Sequence, residues 1–258
     1  MLASVLRTRP ACLASISLFL AGLVVSLLPV PAFAASGPYS SGTVGYDISY
    51  PNCSQSIMPK ASNGSPYSFA IVGVSDGRAF SSNPCLAAEF SSASGLSNVG
   101  LYLNLNAPIG STAREANLGP KSCSHQDKVC KSYNYGYQAA LSAVSTAASA
   151  NAKAGTWWLD VETGNSWSQD QAANFAVIQG ASDALVTNNV ANVGVYSTAA
   201  MWSTITGTSG AQSIYPVWTA SGPSSLAAGA AFCGASFTKG PVWLVQYSGG
   251  SYDEDYAC

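Results

Sequence analysis

An irregular TIM-like β/α barrel, with reduced helices after its later strands, is the α/β fold class that this sequence predicts. Three observations predict it. Short apolar runs recur about eight times along the chain, each ending in polar or aromatic residues. The runs are continuous rather than alternating, which suits strands buried on both faces of a parallel sheet. Segments with helical spacing fall between them, and alternating strands and helices read as a β/α barrel. A doubly wound sheet is the rival, but no Gly-rich phosphate loop follows the first run.

Taken in order, the strand candidates are 44–49, 69–76, 99–104, 155–164, 193–197, 215–218 and 242–247, with a short eighth at 252–256. Helix is expected over 84–94, which is short and Ala-rich. It is expected again over 135–153, where Leu141, Val144 and Ala148 fall on one face and Gly155 follows as a stop. Ser168 and Gln171 form a capping box that opens a helix through Phe175, Ile178 and Leu185. A further helix at 198–205 is closed by Gly207, and 226–232 supplies a last turn or two. The segment 107–134 reads as a long insertion after the third strand, pinned by Cys123 and Cys130.

Residues 1–34 read as an export signal: Arg7 and Arg9 give a basic start, 11–30 is apolar, and Ala32-Phe33-Ala34 is a small-x-small cleavage site. The expected product is secreted and extracellular, begins near Ala35, forms one domain over 35–258 and acts as a monomer without a membrane anchor. Without Arg7 and Arg9, eight of the 10 Lys and Arg remain against 12 Asp and Glu, a net charge of about −4. No basic patch is present, so nucleic acid is not an expected partner. Six cysteines follow the signal, an even number that argues for disulfides, and sequence order suggests Cys53–Cys85, Cys123–Cys130 and Cys233–Cys258. A single histidine, His125, and the lack of a Cys-x-x-Cys exclude an ordinary zinc site, and no cofactor or metal is expected. His125 reads as a solvated loop residue rather than a member of a Ser-His-Asp triad, and no paired Asp-Thr/Ser-Gly loops point to an aspartic protease.

The fourth run, Gly155-Thr156-Trp157-Trp158-Leu159-Asp160-Val161-Glu162-Thr163-Gly164, carries the chemistry. On a strand, residues two apart share a face, so Asp160 and Glu162 point the same way with Cα atoms roughly 6.5–7 Å apart. Like charges held beside apolar surface raise the pKa of one of them, which yields a proton donor next to a carboxylate. Taken alone, such a pair is more often two surface acids at a strand end. The strand-end rule for barrels adds Asp47, Asn104, Tyr196, Trp218 and Gln246 to the same mouth, with Asp253 or Asp255 from the tail. Carboxylates, amides and aromatic faces without a cation suit a sugar: the aromatics stack on its ring, amides bond its hydroxyls and two acids cleave the bond. Each has a plainer reading, with Asp47 as a turn cap, Trp218 as core, Tyr196, Asn104 and Gln246 as supporting partners, and Asp253 and Asp255 as solvated tail charges. Trp243, early in its run, and Met201 and Trp202, on a helix, read as packing.

Gly45-Tyr46-Asp47-Ile48-Ser49 resembles the opening Gly-Ile-Asp-Val-Ser of glycoside hydrolase family 25, the muramidase lysozymes. Leu159-Asp160-Val161-Glu162 matches that family's Asp-x-Glu strand. Val195-Tyr196-Ser197, Val217-Trp218-Thr219-Ala220 and Val245-Gln246-Tyr247 are similar to its later strand motifs. The resemblance implies an irregular barrel and cleavage of the β-1,4 bond after N-acetylmuramic acid in peptidoglycan. It implies Glu162 as general acid, Asp160 as the group steering the N-acetyl group or a water, and Asp47 and a tail aspartate as helpers. The remaining candidates, Asn104, Tyr196, Trp218, Gln246, Asp253 and Asp255, fall to substrate binding. The sequence departs from the family at Tyr50-Pro51-Asn52-Cys53, at Leu103-Asn104-Leu105-Asn106, in the tail and in the 107–134 insertion, so it reads as a divergent branch. A barrel that binds carbohydrate without cleaving it, or a hydrolase of another polysaccharide, keeps the same residues.

Overall fold

The structure, a computed structural model, describes residues 37–55, 60–222, 225–249 and 252–258, without the side chains of 110–112. The export signal expected at 1–34 lies outside the described residues. Eight strands close one barrel in chain order: β1 Val44–Ile48, β2 Phe69–Gly73, β3 Asn98–Asn104, β4 Thr156–Asp160, β5 Asn192–Ser197, β6 Val217–Ala220, β7 Val242–Ser248 and β8 Asp253–Ala257. Helices α1 Leu86–Ala93, α2 Lys128–Ser149, α3 Gln171–Thr187 and α4 Ala199–Ala211 follow β2, β3, β4 and β5, and the five-residue α5 Leu226–Ala230 follows β6. The α/β barrel with thinning late helices is as the sequence predicts. The sheet departs from it in one respect: β1 to β7 are parallel neighbours, but β8 runs antiparallel to both β7 and β1. Only four residues separate the end of β7 at Ser248 from the start of β8 at Asp253, a connection short enough for an antiparallel neighbour and too short for a parallel crossover.

Strand alternation sorts the side chains into two cores. Outward residues such as Val72, Leu103, Leu159 and Val195 meet Leu86, Tyr135, Val177 and Ile178 of the helices. Inward residues Phe69, Ile71, Trp158, Trp218 and Leu244 fill the barrel and are closed below by Tyr39, whose hydroxyl accepts from Trp158 Nε1 at 3.1 Å. Trp243 packs across Trp158 at 6.2 Å, as expected of a core residue, and Trp202 is buried against Phe237. Helices α2 and α3 cross at bare backbone. A Cβ on Gly136 would lie 1.9 Å from the Val177 carbonyl oxygen, and one on Gly180 would lie 1.9 Å from that of Tyr133.

Several element bounds differ from the sequence reading. β4 ends at Asp160, so Glu162 lies past the strand rather than within it. Helix α2 starts at Lys128, capped by Asp127, whose carboxylate accepts from Cys130 N. That start, with a 3₁₀ segment at Gly110–Asn117, leaves 107–109 and 118–127 of the segment irregular. The cap of α3 is Asp170, accepting from Ala173 N, in place of the Ser168–Gln171 box; Ser168 instead bonds Asn174. Helix α4 passes Gly207, which takes φ 57° and kinks it, and continues to Ala211, because a glycine at positive φ interrupts a helix without forcing its end. The disulfides are Cys53–Cys85, Cys123–Cys130 and Cys233–Cys258. Among the described residues no helix is long and apolar enough to cross a membrane.

Candidate active site

Side chains at the C-terminal ends of the parallel strands open into a cleft of about 430 Å³, lined among others by Asp47, Asp160, Glu162, Tyr196, Trp218, Gln246 and Asp253. The register sets this grouping: Asn104 pairs with Asp160, Asp160 with Tyr196, Tyr196 with Trp218, and Asp47 with Asp253. Because β8 is reversed, its first residue, Asp253, stands at the mouth. Asp255 lies two residues deeper on the same face, fully buried, and accepts from Trp218 Nε1 at 2.7 Å. Glu254, between them, faces the other way and takes bonds from Ser62 N and Oγ, Tyr67 and Tyr247. Of the tail acids, Asp253 therefore joins the cleft, whereas Asp255 supports its Trp218 wall from below.

Beyond Asp160 the backbone stays fixed. Val161 N donates to Tyr196 O at 3.0 Å, and Ser197 Oγ donates to Val161 O at 2.7 Å. The Glu162 carbonyl accepts from Trp167 Nε1 at 2.8 Å. Glu162 thus reaches the cleft on a short extension of the sheet, with the two-residue step from Asp160 preserved.

Two amide relays hold the other acids. Ser75 Oγ donates to Asn104 Oδ1 at 2.8 Å, and Asn104 Nδ2 donates to Asp160 Oδ2. On the far wall, Tyr196 OH donates to Gln246 Oε1 at 2.7 Å, and Gln246 Nε2 donates to Asp47 Oδ2 at 2.8 Å. An amide has one accepting and one donating end, so each relay fixes its orientation. Asn104 is therefore turned onto Asp160 and is not among the lining residues, whereas Gln246 is both lining residue and tether.

The electrostatics follow from four acids sharing a cleft whose lining holds no cation. Burial pushes the Asp160 carboxyl well above the usual carboxylate range, the neighbouring Glu162 charge adds to it, and Asn104 opposes it. Asp160 Oδ1 receives no N–H or O–H bond; when protonated, that carboxyl bonds Glu162. Asp47 is pushed up to about 8, by burial first and then by the charges of Asp253 and Glu162, with Gln246 pulling down. Burial also raises Asp253 and Asp255.

The sequence reading missed Tyr102, Ser49, Pro51, Asn52 and Tyr252, which complete the lining. Tyr102 precedes Asn104 by two on β3, so strand alternation alone points it inward. The 3₁₀ turn Tyr50–Asn52, tied by Ser49 N to Asn52 Oδ1 at 3.1 Å and followed by Cys53 in its disulfide, has no period to reveal it. Arg78 is exposed and absent from the lining, and His125 is an exposed loop residue.

Comparison with known proteins gives three findings. The family model "Lysozyme-like protein 1" matches residues 111–230. A probable family 25 lysozyme of Dictyostelium discoideum is 40% identical over 68 residues, 26% of this chain and 31% of that protein, so the match spans about a third of the relative's length. In fold, the chain is similar to a muramidase from Acremonium alcalophilum (TM-score 0.52, 16% identity, 84% of this chain and 93% of that one). It is also similar to the spore cortex lytic enzyme SleM of Clostridium perfringens (TM-score 0.53, 11% identity, 84% and 67%). A third neighbour is the CTP1L endolysin (TM-score 0.52, 14% identity, 84% and 66%).

Proposed function

We propose that this chain, a barrel similar to the family 25 lysozymes in sequence and fold, is a secreted glycoside hydrolase that cuts β-1,4 bonds of peptidoglycan as an N-acetylmuramidase. The observation that carries the reading is the meeting of Asp47, Asp160, Glu162 and Asp253 in one cleft beside Tyr196, Tyr102 and Trp218. The muramidase, endolysin and cortex-lytic neighbours support the choice of substrate. Three disulfides support an oxidising, extracellular destination, and with it the reading of 1–34 as a cleaved signal.

In this reading Glu162 is the general acid that protonates the leaving glycosidic oxygen. Burial beside a second carboxylate favours the protonated form of Asp160, and its bond to Glu162 holds that proton next to the acid that delivers it. Asn104 opposes full proton capture and fixes the Asp160 carboxyl so that it can steer the N-acetyl group or a water. Asp47 and Asp253 face the positive charge that develops on the sugar ring, and Tyr196 and Tyr102 supply faces for the sugars above the buried Trp218.

Glu162→Gln keeps the size of the side chain and removes its acid. Turnover of purified peptidoglycan, followed as new reducing ends, is expected to fall by roughly 10²–10⁴-fold while circular dichroism and glycan binding stay unchanged. Retained turnover in that variant would sink the assignment. Wild-type binding without any release of reducing ends would mark a carbohydrate-binding barrel instead, and mass spectrometry of the products identifies the sugar at each new end.

A further inference from the structure

A second groove of about 500 Å³ lies along the same barrel end. Its apolar part comes from Ala107, Pro108, Ala116 and Ala173, and Lys128 and Lys131 of α2 line it as well. Ala107 follows Asn104 by three residues, a span of at most ~11 Å. Its backbone N donates to Ser166 O, four residues beyond Glu162. The groove therefore starts beside the acid cleft. The lysines stand three apart on a helix and so share a face. Lys128 is exposed and Lys131 half-buried, and the ion pair found among the described residues, Arg114–Glu115, involves neither. The groove's acid, Asp170, is occupied in capping α3.

Charge separates the two concavities. The cleft collects four acids and its lining holds no cation, so a polymer bearing its own carboxylates finds no counter-charge for them there. The neighbouring groove offers two unpaired ammonium groups over apolar surface, the complement of an acidic peptide with short aliphatic side chains. We propose that this groove takes the carboxylate-bearing peptide branch of the glycan strand whose sugars occupy the cleft. The proposal rests on the reading of the cleft as a peptidoglycan site. It makes Lys128 and Lys131 determinants of specificity for peptide-substituted glycan, outside the catalytic machinery.

The test compares intact peptidoglycan with the same glycan stripped of its peptides by an amidase. The double variant K128Q/K131Q is expected to lose roughly five- to tenfold in kcat/KM on the intact polymer, the scale of two partly exposed ionic contacts, and to match wild type on the stripped one. The reversal K128E/K131E deepens the loss on the intact polymer alone. Raised salt narrows the wild-type preference for peptide-bearing substrate. An unchanged rate on intact polymer, or an equal fall on both, overturns the groove. Failure of wild type on both substrates overturns the hydrolase reading instead. The groove is therefore also tested by titrating free stem peptide and following backbone amide resonances. Shifts at 107–116 and 128–131 that vanish in K128Q/K131Q support it, and their absence at millimolar peptide overturns it.

Discussion

Asp47 shows what the cleft costs the fold. Unfolded, its carboxyl ionises near 3.8; folded, it holds its proton to about 8. Between those values the folded chain binds more protons than the unfolded one, so this group makes stability fall as pH rises from about 4 to about 8 and leaves it lower above that. Asp47→Asn, with no charge to bury, is expected to melt higher than wild type at pH 8 and no differently at pH 3.5, while losing turnover. Each kcal/mol gained is worth about 2–4 °C in a domain of this size, and paired melts at the two pH values measure it. Asn104→Ala tests the other relay. It removes the donor that opposes protonation of Asp160, so the basic limb of the pH–rate profile is expected to move to higher pH and kcat to fall about tenfold. A purely structural role for Asn104 would lower stability without moving that limb. At this scale the sequence was informative where chemistry and position coincide, as in Asp47, Asp160 and Glu162, acids at or just past strand ends. Asn104 was legible as a mouth residue. Its turn onto Asp160 was not, because that depends on Ser75, in the loop just past β2.

Among the elements, the eight runs were legible because buried strands are short, apolar and separated by helical spacing. The direction of β8 was not: five residues carry no mark of orientation, and direction decides whether Asp253 or Asp255 meets the cleft. The beginning of α2 escaped because the apolar periodicity starts after its first turns, and Asp127 at the cap is the signal that could have found it. The crossing of α2 and α3 has a sharp requirement. Gly136→Ala or Gly180→Ala drives a Cβ into a backbone carbonyl that cannot move without its helix. A loss of about 2–3 kcal/mol is expected in chemical denaturation, against well under 1 for Gly155→Ala, where a Cβ meets nothing within 4 Å. Cys233–Cys258 ties the end of β8 to the segment after α5. Cys233→Ser with Cys258→Ser is expected to cost about 3 kcal/mol by the loop-closure argument, and to reduce turnover through β8 although no cleft residue is changed.

Across the whole molecule, the barrel closes where its first and last strands pair. Gly42 N donates to Ala257 O, Ser41 Oγ donates to Cys258 O, and Asp47 stands opposite Asp253. The register of the closing strand could not be read from local pattern, because its partners are β7 and β1, the latter some two hundred residues away. The same long-range pairing governs when the cleft is complete. A chain still being made can form β1 to β7 and bring Asp47, Asp160 and Glu162 into proximity, but its sheet has two raw edges and no Asp253, and Trp218 lacks the carboxylate beneath it. Contacts of such separation form late. Activity should therefore rise in a single late step during refolding, after most of the helical signal has returned. A chain cut before β8 should be inert however well its helices form. The strand that completes the cleft works as a timer: the four acids share one finished wall only after β8 has been made and locked in place.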